Sequence, residues 1–359
     1  MEKRSVLVAM SGGVDSSVAA ALLVEQGHRV VGVTMKTFCY QDTGSHGKTC
    51  CGLDGILDAK RVADVLGIDH YVFDVEREFT RDVIDDFVQE YAAGRTPNPC
   101  VRCNGNTKFR DLLRRGRMLG CDAIATGHYA RMGVDAAGNP VLLRAVDAKK
   151  DQSYFLWALP PEMLPQLVFP LGEMTKPEVR GIARRLGLVT AEKPESMEIC
   201  FVPSGNYVDV LEQRLGAGHP SLAPGALVTA DGEVVGEHDG FARYTIGQRK
   251  GLGGGHGQRL YVLGSRPSTR EVVVGTKEQL ARCDVRIAEL NWLATPPSAG
   301  APVQVQIRHR APAVPARVSA AEDGFIHLDL DVPQSAVTPG QSAVLFDGDI
   351  VLGGGRIAA

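Results

Sequence analysis

The first half of the chain alternates between short apolar runs and amphipathic stretches in which apolar residues recur every three or four positions. The apolar runs predict strands at residues 5–10, 29–35, 70–75 and 122–126. The amphipathic stretches predict helices at residues 16–26, 53–66 and 79–91, and Gly27 and Gly67 mark the ends of the first two. Because strands and helices alternate in this order, the pattern predicts an α/β fold with a doubly wound parallel sheet.

Further signals follow these elements. The proline-rich residues 94–103 predict a loop, and the basic stretch after it, with Phe109, Leu112 and Leu113 on one face, predicts an amphipathic helix. Thr175 and Glu178 have the spacing of a capping box, which predicts the start of another helix.

From about residue 204 the chain is rich in glycine and proline, and it contains short stretches of alternating apolar and polar residues, such as 303–308 and 342–346. Such stretches are typical of β-strands. They predict a small β-rich central domain followed by a C-terminal β-barrel-like domain. We therefore place three domains at residues 1–203, 204–278 and 279–359.

The composition is that of an ordinary soluble globular protein, with 39 Lys and Arg against 42 Asp and Glu in 359 residues. No apolar run approaches the roughly 18–20 residues of a membrane span, and residues 5–10 are too short for a signal-peptide core. We therefore expect a cytoplasmic protein with no membrane partner. The 8 cysteines are too sparse for a disulfide scaffold, so their spacing suggests catalysis or metal binding.

The residues Ser11-Gly12-Gly13-Val14-Asp15-Ser16-Ser17 lie between the first predicted strand and the first predicted helix. Backbone N–H groups at a helix start bind anions, which predicts a phosphate site. The loop has no Walker lysine for a γ-phosphate, which favours the pyrophosphate of an ATP cleaved between its α and β phosphates. We expect Asp15 to hold Mg²⁺. The alternative is a serine- and glycine-rich helix cap with no ligand.

The Ser-Gly-Gly-Val-Asp-Ser run resembles the loop of the N-type ATP pyrophosphatases, also called PP-loop enzymes. Further motifs resemble the bacterial tRNA-specific 2-thiouridylases and span nearly the whole chain: Gly-Arg-Thr-Pro-Asn-Pro at 94–99 with Cys103 and Asn104, and the stretches 125–129, 150–156, 199–201, 247–253 and 338–343. The resemblance implies an adenine nucleotide α-hydrolase-like first domain. It also implies a sulfurtransferase that adenylates O2 of the wobble uridine of tRNA and then replaces that oxygen with sulfur.

The resemblance also implies site residues, cofactors and partners. The implied catalytic residues are Cys103, Cys200 and Asp15. The implied ATP-binding residues are Ala9, Met10, Ser11, Gly12, Gly13, Val14, Asp15, Ser16, Met35 and Gly127. The implied tRNA-binding residues are Asn98, Pro99, Cys100, His128, Lys150, Asp151, Gln152, Arg308, His309 and Gln341. The implied cofactors are ATP and Mg²⁺, and the partners are tRNA and a persulfide carrier or cysteine desulfurase that donates sulfur.

The two implied catalytic cysteines differ in their local signals. Cys103 follows the proline-rich stretch and precedes Arg and Lys residues with only Asp111 among them, a field that favours thiolate. Cys200 lies between apolar neighbours, and the sequence alone does not distinguish a nucleophile from a buried small side chain. By resemblance Cys200 carries sulfur as a persulfide that Cys103 attacks. In the alternative, Cys100, Cys103 and Cys200 hold an iron–sulfur cluster.

Two further functions are compatible with the nucleotide loop. In the first, the chain is a ligase of the same loop class that acts on a small molecule. In the second, it is a non-catalytic RNA-binding protein that keeps the nucleotide fold. The basic helix after Cys103 is an RNA-binding surface or a solvated face. For the cysteine-bearing stretch from Cys39 to Cys51, which departs from the family pattern, the sequence provides no role.

Overall fold

A computed structural model describes residues 3–37, 53–195, 199–202, 205–252, 259–322 and 324–359. Cys39, Cys50 and Cys51 lie outside these described residues. The strands are β1 (Ser5–Ala9), β2 (Arg29–Lys36), β3 (Asp69–Asp74), β4 (Ala123–Thr126), β5 (Arg131–Val134), β6 (Pro140–Leu143), β7 (Leu167–Val168), β8 (Gly225–Val228), β9 (Val234–His238), β10 (Tyr261–Arg266), β11 (Glu271–Gly275), β12 (Ala281–Trp292), β13 (Pro302–Gln306), β14 (Val314–Glu322), β15 (Phe325–Ser335), β16 (Ser342–Asp347) and β17 (Ile350–Ile357).

The helices are α1 (Val14–Glu25), α2 (Leu53–Leu66), α3 (Glu76–Phe79), α4 (Asp85–Ala92), α5 (Pro99–Arg102), α6 (Phe109–Met118), α7 (Lys176–Arg185) and α8 (Tyr207–Leu215). One π-helical turn, Thr80–Ile84, joins α3 to α4, and another, Cys103–Lys108, joins α5 to α6. Within the described part of the chain, none of these helices combines the length and the apolar character needed to span a bilayer.

The prediction of a loop over residues 94–103 is wrong in its second half. Helix α5 begins at Pro99 and runs through Cys100 into the π-helical turn that starts at Cys103. Proline suits this place because its fixed φ angle matches the helix and its missing N–H has no helical partner to lose. The implied nucleophile therefore lies on helical backbone, and the loop ends at Asn98.

The first sheet confirms the predicted doubly wound α/β fold. Its strands run in the order β3-β2-β1-β4-β7, and every pair is parallel. One face packs on α1, α2 and α7 through Val6 and Val8, and the other packs on α6 through Leu7. The chain leaves β1 toward β2 and leaves β4 toward β7, so the two loops diverge at the carboxyl ends of β1 and β4. Such a switch point is where open α/β sheets bind ligands.

The C-terminal strands confirm the predicted β-barrel-like domain. Strands β12-β15-β14-β13-β16-β17 form one sheet, and pairing of β12 with β17 closes it. We call this closed sheet the barrel. The hairpin β5–β6, from the first half of the chain, extends it at β17, where Ile350 pairs with Leu143. The last sheet thus combines strands from both halves of the chain.

The central part holds a smaller sheet in the order β10-β11-β8-β9, which confirms its predicted β character. The sequence pattern did not predict helix α8, which precedes this sheet. The helix begins after its N-cap Asn206, and the Asn206 side chain accepts a hydrogen bond from the Val208 N–H. The ranges 1–203, 204–278 and 279–359 remain our proposal for the domain boundaries.

One apolar core joins the first sheet to the barrel. Leu7 and Ile124 of the first sheet share it with Val344, Phe346 and Val351 of the barrel. The Arg144 guanidinium also stacks on the Phe346 ring, 3.5 Å from its centroid. We therefore expect the barrel and the first sheet to stabilise each other.

Replacing Phe346 with alanine removes a fully buried ring at this junction. We expect Phe346→Ala to lower the free energy of unfolding by about 3–5 kcal/mol, because it leaves a cavity in addition to losing buried surface. Urea unfolding followed by circular dichroism measures this free energy of unfolding. The control is Val332→Ala on an exposed barrel position, with an expected change within about 0.5 kcal/mol. Equal losses for the two variants would contradict a shared core.

Candidate functional site

The loop at the carboxyl end of β1 is held together by its own serines. The hydroxyls of Ser16 and Ser17 donate to the Gly13 carbonyl oxygen at 3.2 and 2.8 Å, and the Ser11 N–H donates to Ser16 Oγ at 3.1 Å. Gly12 has a φ angle of +70°, and a Cβ there would lie 2.1 Å from the Gly55 carbonyl oxygen. The loop therefore requires glycine for its backbone shape and for its close contact with α2.

The second loop of the switch point follows β4 and touches the first one. A Cβ on Gly127 would lie 2.6 Å from the Ser16 backbone nitrogen. The nearest obstacle to a side chain at Gly127 is therefore the backbone of α1. Among the other implied ATP-binding residues, Met10, Val14 and Met35 are buried, while Ala9 is half-buried at the end of β1.

The Asp15 carboxylate is already paired. It accepts hydrogen bonds from Lys176 Nζ at 2.7 and 2.8 Å and from the Tyr129 hydroxyl at 2.9 Å. Lys176 also pairs with Glu195 at 3.2 Å, and Glu195 pairs with Lys150 at 2.7 Å. The hydrogen bond from Lys150 is the largest cause that holds the pKa of Glu195 below its usual range, and Lys176 adds to it against the opposing effect of burial.

The loop lacks a lysine of its own, but distant parts of the chain supply two. Lys176 is the first residue of α7, and its side chain reaches Asp15. Lys193 Nζ donates to the Gly12 carbonyl oxygen at 2.9 Å and pairs with Asp58 at 2.7 Å. Sequence reasoning missed both lysines. The one local signal was the position of Lys176 directly after the Thr175 cap, a geometry that the structure confirms.

Mg²⁺ fits this loop under one condition. In proteins Mg²⁺ commonly uses one or two carboxylates and takes its other ligands from phosphate and water. Asp15 is partly exposed and offers one carboxylate, but Lys176 must leave it first. Among the residues that the structure describes, no group of three His, Cys, Asp or Glu side chains is placed to hold a metal ion without a substrate.

Residues 94–103, which we call the cysteine segment, are held by the central sheet and by the loop that precedes β16 of the barrel. The Thr96 N–H donates to the Pro339 carbonyl oxygen at 2.9 Å, and Gln341 Nε2 donates to the carbonyl oxygens of Thr96 and Pro97 at 2.9 and 3.0 Å. Ser265, in β10 of the central sheet, donates to the Gly94 carbonyl oxygen at 3.1 Å. The implied tRNA-binding residue Gln341 therefore already serves to hold the cysteine segment.

Cys103 and Cys200 pack against the same hydrophobic core. Both are half-buried and pack against a core that contains Phe79, Phe87 and Phe201. Phe201, next to Cys200, meets the Phe87 ring edge-on with 5.1 Å between centroids. We call the core that contains these three rings the aromatic cluster. Cys100 is exposed and is not part of this core, and the three cysteines form no metal-binding group in the described residues, so their placement does not fit an iron–sulfur cluster.

The basic stretch after Cys103 is less charged than its sequence suggests. Arg114 and Arg115 both pair with Asp111, and Arg102 pairs with Asp86 and Glu289. Asp111 is the carboxylate that pairs with arginines of this stretch, whereas the carboxylates of α4 and β12 pair with Arg102, the residue before Cys103. A groove of about 550 Å³ lies along the outer face of α6, lined by Arg110, Leu113, Arg114, Arg117, Pro160, Glu162, Met163 and Gln166.

The other implied tRNA-binding residues have diverse environments. Arg308 is exposed after β13, and the His309 ring packs 4.5 Å from the Phe155 ring. Asp151 accepts hydrogen bonds from Ser153 Oγ at 2.9 Å and from the Ala145 N–H at 3.0 Å.

The remaining residues of this set are also engaged within the protein. Gln152 Oε1 accepts from the Tyr129 N–H at 3.0 Å, and Lys150 pairs with Glu195. Pro99 is buried, and Asn98 interacts with the Tyr154 hydroxyl. Arg308 therefore offers the most accessible charge of the implied set.

His128 lies between two phenylalanines. Its ring centroid is 6.0 Å from that of Phe109 and 6.4 Å from that of Phe169, and Nδ1 is 2.7 Å from Thr126 Oγ1. Burial lowers the pKa of His128 to about 3, with a smaller contribution from Lys108. The imidazole is therefore neutral near pH 7.

The fold and the loop at its switch point define an adenine nucleotide α-hydrolase-like protein of the PP-loop class. Sequence profiles of known families match three consecutive parts of the chain. Residues 4–204 match the family described as the tRNA methyl transferase HUP domain, and residues 209–276 match the corresponding PRC-barrel domain. Residues 282–357 match an aminomethyltransferase beta-barrel domain.

Relatives that match nearly the whole chain are named tRNA-specific 2-thiouridylases. The tRNA-specific 2-thiouridylase MnmA of Rhodospirillum centenum is 51% identical over 98% of this chain and 91% of its own length. The proteins of that name from Geotalea uraniireducens and Geobacter metallireducens are each 49% identical over 99% of this chain, and 95% and 97% of their lengths are covered. The chain belongs to the tRNA-specific 2-thiouridylase family.

Among solved structures, a 4-thiouridine synthetase in complex with RNA and bound ATP is 15% identical, with a TM-score of 0.36 over 60% of this chain and 51% of that one. A similarity of this level carries no argument about function.

The low pKa of His128 predicts a specific pH dependence of stability. Above about pH 6.5 the imidazole is neutral in the folded and unfolded chain, so it contributes nothing. Between about pH 6.5 and pH 3 the unfolded chain binds a proton that the folded protein excludes, so stability falls as the pH falls. We expect His128→Asn to lose less stability than the parent between pH 7 and pH 5, measured by urea unfolding.

If His128→Asn and the parent lost equal stability over this range, His128 would accept its proton in the folded protein.

Proposed function

We propose that the chain is an ATP-dependent tRNA 2-thiouridylase that converts the wobble uridine to 2-thiouridine and releases AMP and pyrophosphate. The observation that carries the proposal is the combination of two features in one molecule. A PP-loop lies at the switch point of the first sheet, and two half-buried cysteines from distant parts of the chain pack on one aromatic cluster. The family membership supports the same activity.

Adenylation is the first step. The uracil O2 attacks the α-phosphorus of ATP, the bond between that phosphorus and the bridging oxygen breaks, and pyrophosphate leaves. The N–H groups at the start of α1 bind the negative phosphates, and Lys176 and Lys193 add positive charge beside them. Mg²⁺, when held by Asp15, would neutralise the negative charge of the phosphates. Lys176, released from Asp15, is then available to the leaving pyrophosphate.

Sulfur transfer is the second step. Cys200 carries a persulfide, and its terminal sulfur attacks C2 of the adenylated uracil while AMP leaves with the former O2. The Cys103 thiolate then attacks the inner sulfur of Cys200, which breaks the sulfur–sulfur bond and leaves 2-thiouridine and a Cys103–Cys200 disulfide. In the variant order, Cys103 attacks first and releases hydrosulfide, which attacks C2. A thiol reductant resets the disulfide in both orders.

The proposal includes the tRNA contacts and the partners. Arg308 and the groove along α6 present positive charge to RNA phosphates, and an exposed α5 residue, Cys100, lies one helical turn from Cys103. A persulfide carrier or cysteine desulfurase supplies sulfur to Cys200. The enzyme works in the cytoplasm, where tRNA is found.

Two rival functions make different demands on ATP and tRNA. A small-molecule ligase of the same loop class releases AMP without tRNA, and a non-catalytic RNA-binding protein releases none. The test is the appearance of AMP and pyrophosphate on incubation with ATP, and we expect it only when tRNA with a wobble uridine is added. AMP formed equally without tRNA, or none with it, would refute the proposal.

Asp15→Asn keeps the shape of the side chain but removes its charge. We expect pyrophosphate release to fall by about 100-fold or more, because the variant loses its metal ligand and its partner for Lys176. Affinity for tRNA, measured by fluorescence anisotropy, should stay within about twofold, since Asp15 lies in the nucleotide loop. Asp122→Asn, whose carboxylate pairs with Arg4 on the surface, is the control. Full pyrophosphate release by Asp15→Asn would remove Asp15 from the catalytic set.

Serine substitutions test the roles of the cysteines. We expect Cys103→Ser and Cys200→Ser to abolish 2-thiouridine formation while adenylation continues, because a hydroxyl is a poor nucleophile near neutral pH. Nucleoside analysis of the tRNA by mass spectrometry measures thiolation. Cys100→Ser and the surface control Cys283→Ser should retain it. A requirement for iron, together with loss of thiolation in Cys100→Ser, would instead support a cluster held by all three cysteines.

A further inference from the structure

A charged network connects the last strand of the barrel to helix α4. Arg356 of β17 donates to both carboxylate oxygens of Asp86 at 2.8 and 3.0 Å, and its other terminal nitrogen lies 2.8 Å from Glu90. Its Nε lies 3.4 Å from Glu289 of β12. The Arg356 side chain is only 13% exposed, so this guanidinium is committed to its three carboxylate partners.

The same carboxylates hold the cysteine segment on both sides of α5. Glu90 receives a hydrogen bond from Arg95 Nε at 2.8 Å, and Asp86 lies 3.3 Å from Arg102 Nε. Arg102, the residue before Cys103, also pairs with Glu289. Three arginines and three carboxylates thus form a balanced set, with Arg356 touching every carboxylate.

The geometry of this network goes beyond what a surface ion pair requires. The planar guanidinium of arginine donates several hydrogen bonds in fixed directions at once. A lysine ammonium has no such planar set of donors. Glu289 has a φ angle of +50°, a conformation that costs energy in a residue with a side chain, and it lies at a register shift in β12. Burial opposes ionisation of Glu90, yet Arg95 and Arg356 hold its pKa below its usual range.

We propose that Arg356 is a positioning residue for sulfur transfer: it fixes Arg95 and Arg102 through Asp86, Glu90 and Glu289, and so fixes the orientation of Cys103. This inference rests on the proposed role of Cys103. The nucleotide loop lies at the switch point of the first sheet and shares no member with the network. Loss of Arg356 therefore affects sulfur transfer and leaves adenylation intact.

The test compares Arg356→Gln, Arg356→Lys and the control Arg282→Gln, which alters an exposed ion pair of the same barrel. Pyrophosphate released in one turnover without sulfur donor measures adenylation, and 2-thiouridine formed with donor measures transfer. We expect Arg356→Gln to slow transfer by about tenfold or more, because small displacements of reacting groups are costly, and to keep pyrophosphate release within about twofold. Arg356→Lys should recover part of the transfer rate.

Alkylation by iodoacetamide, mapped by mass spectrometry, reports on Cys103 without depending on activity. We expect Cys103 to react several-fold faster in Arg356→Gln, because the segment around it opens locally. Cys121 is buried between α6 and β4, shares no member with the network and should react at the rate of the parent. Glu289→Gln, a milder variant at a half-exposed carboxylate, should show the same pattern more weakly.

The outcomes separate a positioning role from a purely structural one. Parallel loss of adenylation and transfer, with faster alkylation of Cys121, would mean that Arg356 only stabilises the fold and would overturn the inference. Unchanged transfer and unchanged Cys103 alkylation in both Arg356→Gln and Glu289→Gln would overturn it as well. If Cys103→Ser formed 2-thiouridine at the parent rate in the same assay, the proposed function of Cys103 would fail, whatever the Arg356 variants show.

Discussion

The cysteine segment keeps its shape only because separate parts of the protein hold it. Residues 94–98 have no regular structure, and their backbone hydrogen bonds go to the end of α4, to Pro339 and Gln341 near the barrel, and to Ser265 of the central sheet. Charges from α4 and β17 hold the residues on either side. Backbone groups need such partners, so a change in the central sheet, in the loop before β16 or in α4 reaches this segment.

Several polar groups of the nucleotide loop have partners within the protein itself. Its serine hydroxyls bond to its own backbone, and Lys176 neutralises Asp15. Binding of phosphates therefore exchanges existing interactions for new ones, and the net gain is smaller than the number of new contacts suggests. The exchange also links cation binding to anion binding. When the pair of Lys176 and Asp15 separates, Asp15 becomes available to a cation and Lys176 becomes available to an anion.

Features encoded by neighbouring residues could be predicted from the sequence. The helix Leu53–Leu66 ends at the residue where its pattern ends, and the PP-loop follows β1 as its glycines and serines indicated. The pairing of Lys176 with Asp15 could not be predicted, because tertiary packing alone brings these two residues together. The same reason applies to Arg356. The error at α5 was of another kind, since Pro99 was interpreted as a loop residue although proline also begins helices.

The attachment of the β5–β6 hairpin to β17 has a consequence for synthesis of the chain. Leu143 of β6 pairs with Ile350, so the hairpin edge waits for about 200 further residues before its partner exists. At roughly 5–20 residues per second, that interval on the ribosome is on the order of 10–40 s. During it a strand edge and the apolar face that later meets Phe346 are open to other chains. The β5–β6 hairpin, from the first half of the chain, therefore gains its barrel partner only after β17 has been synthesised.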